Sequence, residues 1–348
     1  RIPLSTDKAR IRATCILDIS SATCLDLIVD TGFTLRNDTT IGRALTVNGN
    51  ITSTGIIDFS YSGTSTLFLK GSANSIVSFA GGTANTVNYS ATGNQNILSL
   101  SYSNLTVSGS GIKTLTGDAT VNGLYYNEAQ FNTVNNNFTV LGQSFIGNGS
   151  SASNTSFTKT GTIGITRLAG KVNFRNFSAM NIESNTLELN GGYSIASTNA
   201  TLTAGKISFN GSQTITGNIN VFTLVSNCFA EITDNSIVEI AAGAGLSVLY
   251  INGLSVNSSL INKGALIFTS STQSMTVGLI DVSTFYNIIY YSFNGNFTIP
   301  MSTYRDLYFT GTGVKSLSSN LTCTYLDVYQ SNINYGDFTL QVNGNSKF

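Results

Sequence analysis

Tyr102 to Leu115 reads YSNLTVSGSGIKTL, and Tyr304 to Leu317 reads YRDLYFTGTGVKSL. The two stretches share Tyr, Leu, two Gly, Lys and a final Leu at one spacing, 202 residues apart. The likeness runs on: DATVNGLYY follows the first and NLTCTYLDV the second, then NFTVLG and DFTLQVNG. A second unit recurs as TVNYSATGNQNI at Gln95, KISFNGSQTI at Gln213 and LIFTSSTQSM at Gln273, at separations of 118 and 60 residues. These separations fall near multiples of about 20, a length that suits one coil of a solenoid.

Each copy is a short run of Val, Ile, Leu, Phe, Tyr or Thr closed by Gly or Asn, the pattern of short strands and turns. No segment of ten or more residues carries a helical period. A single coil cannot bury its apolar face alone, but the next coil stacked on it completes the core and pairs the strand backbones. Gly and Asn supply the positive φ that corners need. Pro, which would remove a ladder donor, occurs only 2 times. The expected fold is therefore all-β, a right-handed parallel β-helix (β-solenoid) with coils of about 20 residues forming an elongated rod. The solenoid is assigned to residues 46–348. Residues 1–45, with the strings ILDIS and LDLIVD, read as an N-terminal cap or a junction segment, because an open solenoid end must be covered. The chain opens on Arg1 without a signal peptide and reads as a processed product or a fragment.

Composition narrows the function classes. Charged residues make up 10% of the chain, 17 basic and 17 acidic, so Asn, Ser, Thr and Gly must solvate the surface. With 41% hydrophobic residues the chain has too much apolar surface for disorder. Balanced charge without a Lys/Arg run leaves no electrostatic footprint for nucleic acid. No apolar run approaches the roughly 18 residues of a membrane-spanning helix.

His is absent, which removes Ser-His-Asp, Cys-His and His-metal chemistry within the chain. No phosphate-binding Gly-rich motif is present; SGSG at 108–111 is a repeat corner. No catalysis, cofactor or metal is expected. The enzymatic alternative is glycan cleavage by paired carboxylates, for which Glu183 with Glu188, and Glu231, Asp234 and Glu239, are the local groups. Solvated surface charge is the competing reading. Asp18, Asp38 and Asp58 are spaced by 20 and would stack along one edge only with a cation between them; chance spacing is the other account.

Cys15 and Cys24 sit in the similar strings TCILDIS and TCLDLIVD. They either face each other across adjacent strands as a disulfide or remain buried thiols. Cys228 and Cys323 read as inward strand residues, as do Phe174, Phe209 and Phe268. Tyr125, Tyr126, Tyr286, Tyr290 and Tyr291 are the candidate contact aromatics. The adjacent pairs must turn at least one ring outward, toward a glycan or a neighbouring subunit. Asn-x-Ser/Thr sequences occur at Asn50, Asn104, Asn137, Asn148, Asn154, Asn199, Asn296 and Asn320, open to glycosylation where a host has the machinery.

The stretch TVNYSATGNQNILSLSYSNLTVSGSGIKTLTGDATVNG, Thr86 to Gly123, resembles the Gly/Asn/Thr-rich repeats of filamentous-haemagglutinin-like bacterial adhesins and cell-surface β-helix proteins. Similar repeats occur in phage tail fibres. The strong likeness covers residues 83–143 and about 299–344, and the rest of the chain shares the style only. The resemblance implies an extracellular structural or adhesive module of a surface filament or cell-surface adhesin, without catalysis. Its partners would be further copies, neighbouring subunits or glycans. The alternative is a virion segment, a phage tail fibre or tailspike binding a host surface glycan. The likeness transfers no catalytic residue, because the matching positions are apolar, Gly, Thr and Lys.

Overall fold

The computed structural model describes residues 3–38, 41–61, 64–147, 155–175, 179–182, 186–190, 194–195, 201–203, 206–209, 213–215, 218–220, 229–232, 237–241, 245–248, 250–253, 259–268, 279–281, 288–299 and 303–348. Every regular element among them is a strand, and parallel coils of about 20 residues stack into a β-solenoid. The chain comprises two compact units, Arg1–Ile182 and Glu183–Phe348.

The longest ladder of the first unit runs through Ser21–Cys24, Ala44–Val47, Thr66–Leu69, Thr86–Tyr89, Asn104–Val107, Tyr125–Asn127, Ser144–Ile146 and Val172–Phe174. Its register stacks Ala22, Leu45, Leu67, Val87, Leu105, Tyr125, Ser144 and Val172 in one inward column. All eight are buried. Strict alternation along each strand sends the intervening residues outward, because successive side chains leave opposite faces of a strand. Full burial of one aliphatic side chain stabilises by about 2 kcal/mol, so each added coil deepens the core by several such increments.

Two further ladders complete the coils of this unit from Gln95 onward. One joins Gln95–Ile97, Ile112–Leu115, Gln130–Asn132, Ser156–Thr158 and Ala179–Asn181. The other joins Ser101–Tyr102, Ala119–Val121, Phe138–Val140 and Thr166–Leu168. Residues of the first 45 stack in the same way: Lys8–Ile11 pairs with Asp26–Val29, and Cys15–Leu17 with Thr34–Asn37. The second unit carries a ladder of Asn218–Asn220, Gly245–Val248, Ala265–Phe268, Ile288–Ser292, Asp306–Thr310, Tyr325–Tyr329 and Ser346–Lys347.

The SGSG and TGTG corners show why glycine recurs. Gly109 and Gly111 have φ of 81° and 73°, and Gly311 and Gly313 have 90° and 101°. A Cβ at Gly109 would clash with the Ala91 carbonyl oxygen of the coil before. Both the backbone angle and the close approach of coils exclude a larger residue there.

Candidate functional site

The repeat residues that decide the fold turn out to be core devices. The Tyr89 and Tyr102 hydroxyls meet at 2.9 Å, and Tyr102 donates to the Leu98 carbonyl at 2.7 Å. Tyr291 and Tyr304 repeat that contact at 3.1 Å. Burial pushes the Tyr89 phenol up to about 12 and Tyr102 and Tyr291 well above the ordinary range.

The repeat lysine points inward. Lys113 is fully buried, and its ammonium donates to the carbonyls of Ala91, Gly93 and Ser110 at 2.7 Å each. Lys315 does the same with Phe293, Gly295 and Thr312 at 3.3, 2.8 and 3.3 Å. Corner turns aim carbonyls into the solenoid, and a long cationic donor satisfies them without a further chain. Gln95, one coil before Lys113 in the same column, fills the same role by donating to Leu69 and Gly71 at 2.8 Å. Desolvation pulls the pKa of Lys113 down to about 8 and lowers that of Lys315, while the accepting carbonyls favour the charged form.

The Asn-x-Ser/Thr sequences also serve the stack. The Oδ1 atoms of Asn50, Asn104 and Asn137 accept the backbone N–H of Ala73, Leu124 and Ile165, at 3.0, 2.6 and 2.8 Å. Asn296 and Asn320 hold Val314 and Thr339 at 3.0 and 2.9 Å. Each hook reaches one coil along. Asn148, Asn154 and Asn199 lie outside the described residues.

The carboxylates are placed by the register and by ion pairs. Asp38 binds Arg43 at 2.7 Å, and Asp58 registers with Arg36, two positions off Asp38, so the three aspartates Asp18, Asp38 and Asp58 do not form one continuous ladder. Glu239 pairs with Lys263 at 3.0 Å. Glu188 and Glu231 occupy one column with Ser208 between them, a juxtaposition that spacing along the chain does not reveal. Glu183 and Asp234 lie outside the described residues. Among the described residues no group of three or more His, Cys, Asp or Glu is placed to hold a metal ion, and no helix is long and apolar enough to cross a membrane.

Cys15 and Cys24 are not on hydrogen-bonded neighbours. The Cys15 strand pairs with Thr34–Asn37 and the Cys24 strand with Ala44–Val47, and both thiols are free. They line one apolar cavity of about 390 Å³ with Ile11, Leu17, Leu27 and Leu45. Burial pushes the Cys24 thiol up to about 11. Cys323 is inward as expected, and so are Phe209 and Phe268; Cys228 lies outside the described residues, as does the side chain of Phe174.

The tyrosine candidates divide. Tyr125 and Tyr291 are not surface residues: both are fully buried. Tyr125 packs edge-on against Phe138 at 4.9 Å, and Tyr291 is sandwiched between Phe268 and Phe309 at 5.4 and 5.6 Å. Their neighbours Tyr126 and Tyr290 face outward, as alternation requires. Tyr286 lies outside the described residues. Tyr126 stacks on Phe145 at 4.7 Å with planes 4° apart, and Arg175 lies over both rings.

Tyr290 opens the more extended outward feature. Its ring stacks on Tyr308 at 4.3 Å, and Tyr308 meets Tyr325 at 5.3 Å. Asp306 and Asp327 share this face, and the Tyr325 hydroxyl donates to Asp327 Oδ2 at 3.4 Å. Desolvation, then Tyr290 and the nearby carboxylates, push the Tyr308 phenol up to about 12. Tyr329, at the end of the same face, is 60% exposed. Such a face offers hydroxyl donors, carboxylate acceptors and ring edges on a rigid parallel sheet. No protein-family model, curated protein or solved structure matches the chain.

Proposed function

We propose that the chain is a non-catalytic, extracellular scaffold module of a surface filament or cell-surface adhesin. The stacked coils act as a stiff platform, and the outward face of Ile288–Ser292, Asp306–Thr310 and Tyr325–Tyr329 is its contact surface. That face carries the reading. Three tyrosines and two aspartates sit on neighbouring strands at one coil spacing, on the outward face and apart from the core hydrogen bonds made by the inward tyrosines and lysines. Tyrosines of this kind contribute large contact area with little conformational entropy to lose, which suits adhesion to a neighbouring subunit or a glycan.

Two measurements test the reading. Antibody against the purified chain should label intact producing cells, and the chain should bind copies of itself or a polysaccharide surface with an affinity that Tyr308→Ser lowers by about tenfold. Labelling confined to the cell interior would overturn it. Release of reducing ends from a polysaccharide, abolished by Glu188→Gln or Glu231→Gln, would overturn it in favour of glycan cleavage.

A further inference from the structure

The tyrosine face has a second property, which depends on ring geometry and not on any partner. Tyr290 and Tyr308 come from successive coils, are directly opposite in register, and stack at 4.3 Å with planes 21° apart. Both are partly open to solvent. Other tyrosine contacts lack one of these features. Tyr89 with Tyr102, and Tyr291 with Tyr304, are buried away from any oxidant. Tyr126 stacks on Phe145, which has no phenol. Asp306 and Asp327 stand on the same face as proton acceptors, and Asp327 already accepts a hydrogen bond from Tyr325.

We propose that Tyr290 and Tyr308 form an oxidative cross-linking site that joins two successive coils through a dityrosine bond. The oxidant is a peroxide acting through a peroxidase. It takes one electron from each phenol, and each phenolic proton leaves to the carboxylates or to solvent. The two radicals join by a carbon–carbon bond ortho to the hydroxyls. The two displaced ring hydrogens then return the oxygens to phenols. The peroxide accepts two electrons and two protons overall and leaves as two waters, and the chain loses two hydrogens. Holding the two rings in contact makes the coupling intramolecular, so it outruns encounter between chains. The link closes the 18 residues from Tyr290 to Tyr308 and staples the coils against mechanical unwinding. Its use rests on the scaffold reading, but its chemistry does not, so the purified chain suffices for the test.

The full chain is treated with a haem peroxidase and hydrogen peroxide, digested and mapped by mass spectrometry. A linked peptide pair containing Tyr290 and Tyr308, two hydrogens lighter than its parts, is expected. Its yield should be unchanged on tenfold dilution of the chain. Tyr308→Phe and Tyr290→Phe keep the stack and should each remove the product. Tyr329→Phe and Tyr335→Phe, at exposed positions, should leave it. The proposal is overturned if no such pair forms, if the yield falls with dilution, if the link runs through Tyr329 or Tyr335, or if it joins Tyr308 to Tyr325 instead.

Discussion

The two copies of the Tyr-to-Leu repeat, one in each unit, agree inside and differ outside. The buried hydroxyl pair recurs at 2.9 and 3.1 Å, the lysine is fully buried in both, and the corner glycines keep positive φ. At the outward positions, Asn88 and Thr106 of the first copy correspond to Tyr290 and Tyr308 of the second. The coil interior fixes residue type because carbonyls, hydroxyls and ring volumes must all be matched. The outer face is constrained only by solvation, so it is where the two units can acquire different contacts. The lysine shelter also differs. Ala91 of the first copy corresponds to Phe293, and Lys315 Nζ lies 4.5 Å above that ring. Its carbonyl contacts are longer than those of Lys113, so part of its stabilisation is cation–π in kind.

Alkaline pH should separate the copies most strongly. Tyr89, Tyr102, Tyr125 and Tyr291 all titrate above the ordinary range because burial disfavours the phenolate. Their unfolded counterparts ionise near 10. Above that pH the folded chain holds more protons than the unfolded one, so stability falls as pH rises through 10 toward 12. Between about 8 and 10 two smaller effects oppose each other. Lys113, pulled down to about 8, adds stability as pH rises, whereas Cys24 and Cys323, pushed up to about 11, remove it. The stability curve should be nearly level to about pH 10 and then drop. Among the described residues, three of the four fully buried phenols lie in the first unit, which should lose amide-exchange protection first. Earlier loss from the second unit would break the comparison.

The lysines come next in size. Lys113→Met leaves the Ala91, Gly93 and Ser110 carbonyls without the ammonium donor, a loss of about 3 kcal/mol. Lys315→Met should cost about half as much, since its carbonyl bonds are longer and the Phe293 ring keeps the site filled by packing on Met. Local hydrogen exchange across 91–115 and 293–317 measures both. Equal losses would show that the ring contributes nothing.

The fold was legible because alternation and a spacing near 20 residues are written directly in strings such as NLTVSGSGIKTL. The buried lysine was not read, since Lys is the residue type least expected inside. Its signal was nevertheless present: Lys113 shares parity with Leu115 in one strand, so if the leucine is inward the lysine must be too. Tyr125 and Tyr126 could not be resolved that way. Gly123 breaks the phase before them, and Ile288, Ile289, Tyr290 and Tyr291 are apolar at both parities. The outward tyrosine face was illegible for a different reason. It is assembled from residues 18 or more apart, and only the register of the coils brings Tyr290 over Tyr308.

The smallest expected effect isolates one hydroxyl. Tyr125 is fully buried among Phe131 and Phe138, and its hydroxyl has no hydrogen-bond partner. Tyr102, equally buried, spends its hydroxyl on Tyr89 and Leu98. An unsatisfied buried hydroxyl costs about 1 kcal/mol or more, whereas a satisfied one contributes about that much. Tyr125→Phe should therefore raise stability by about 1 kcal/mol while Tyr102→Phe lowers it by a similar amount, both read from urea unfolding midpoints. The ring volume is kept in each case, so packing cannot account for the difference in sign. A loss on Tyr125→Phe would mean that its hydroxyl is satisfied in solution, by water or by a neighbour.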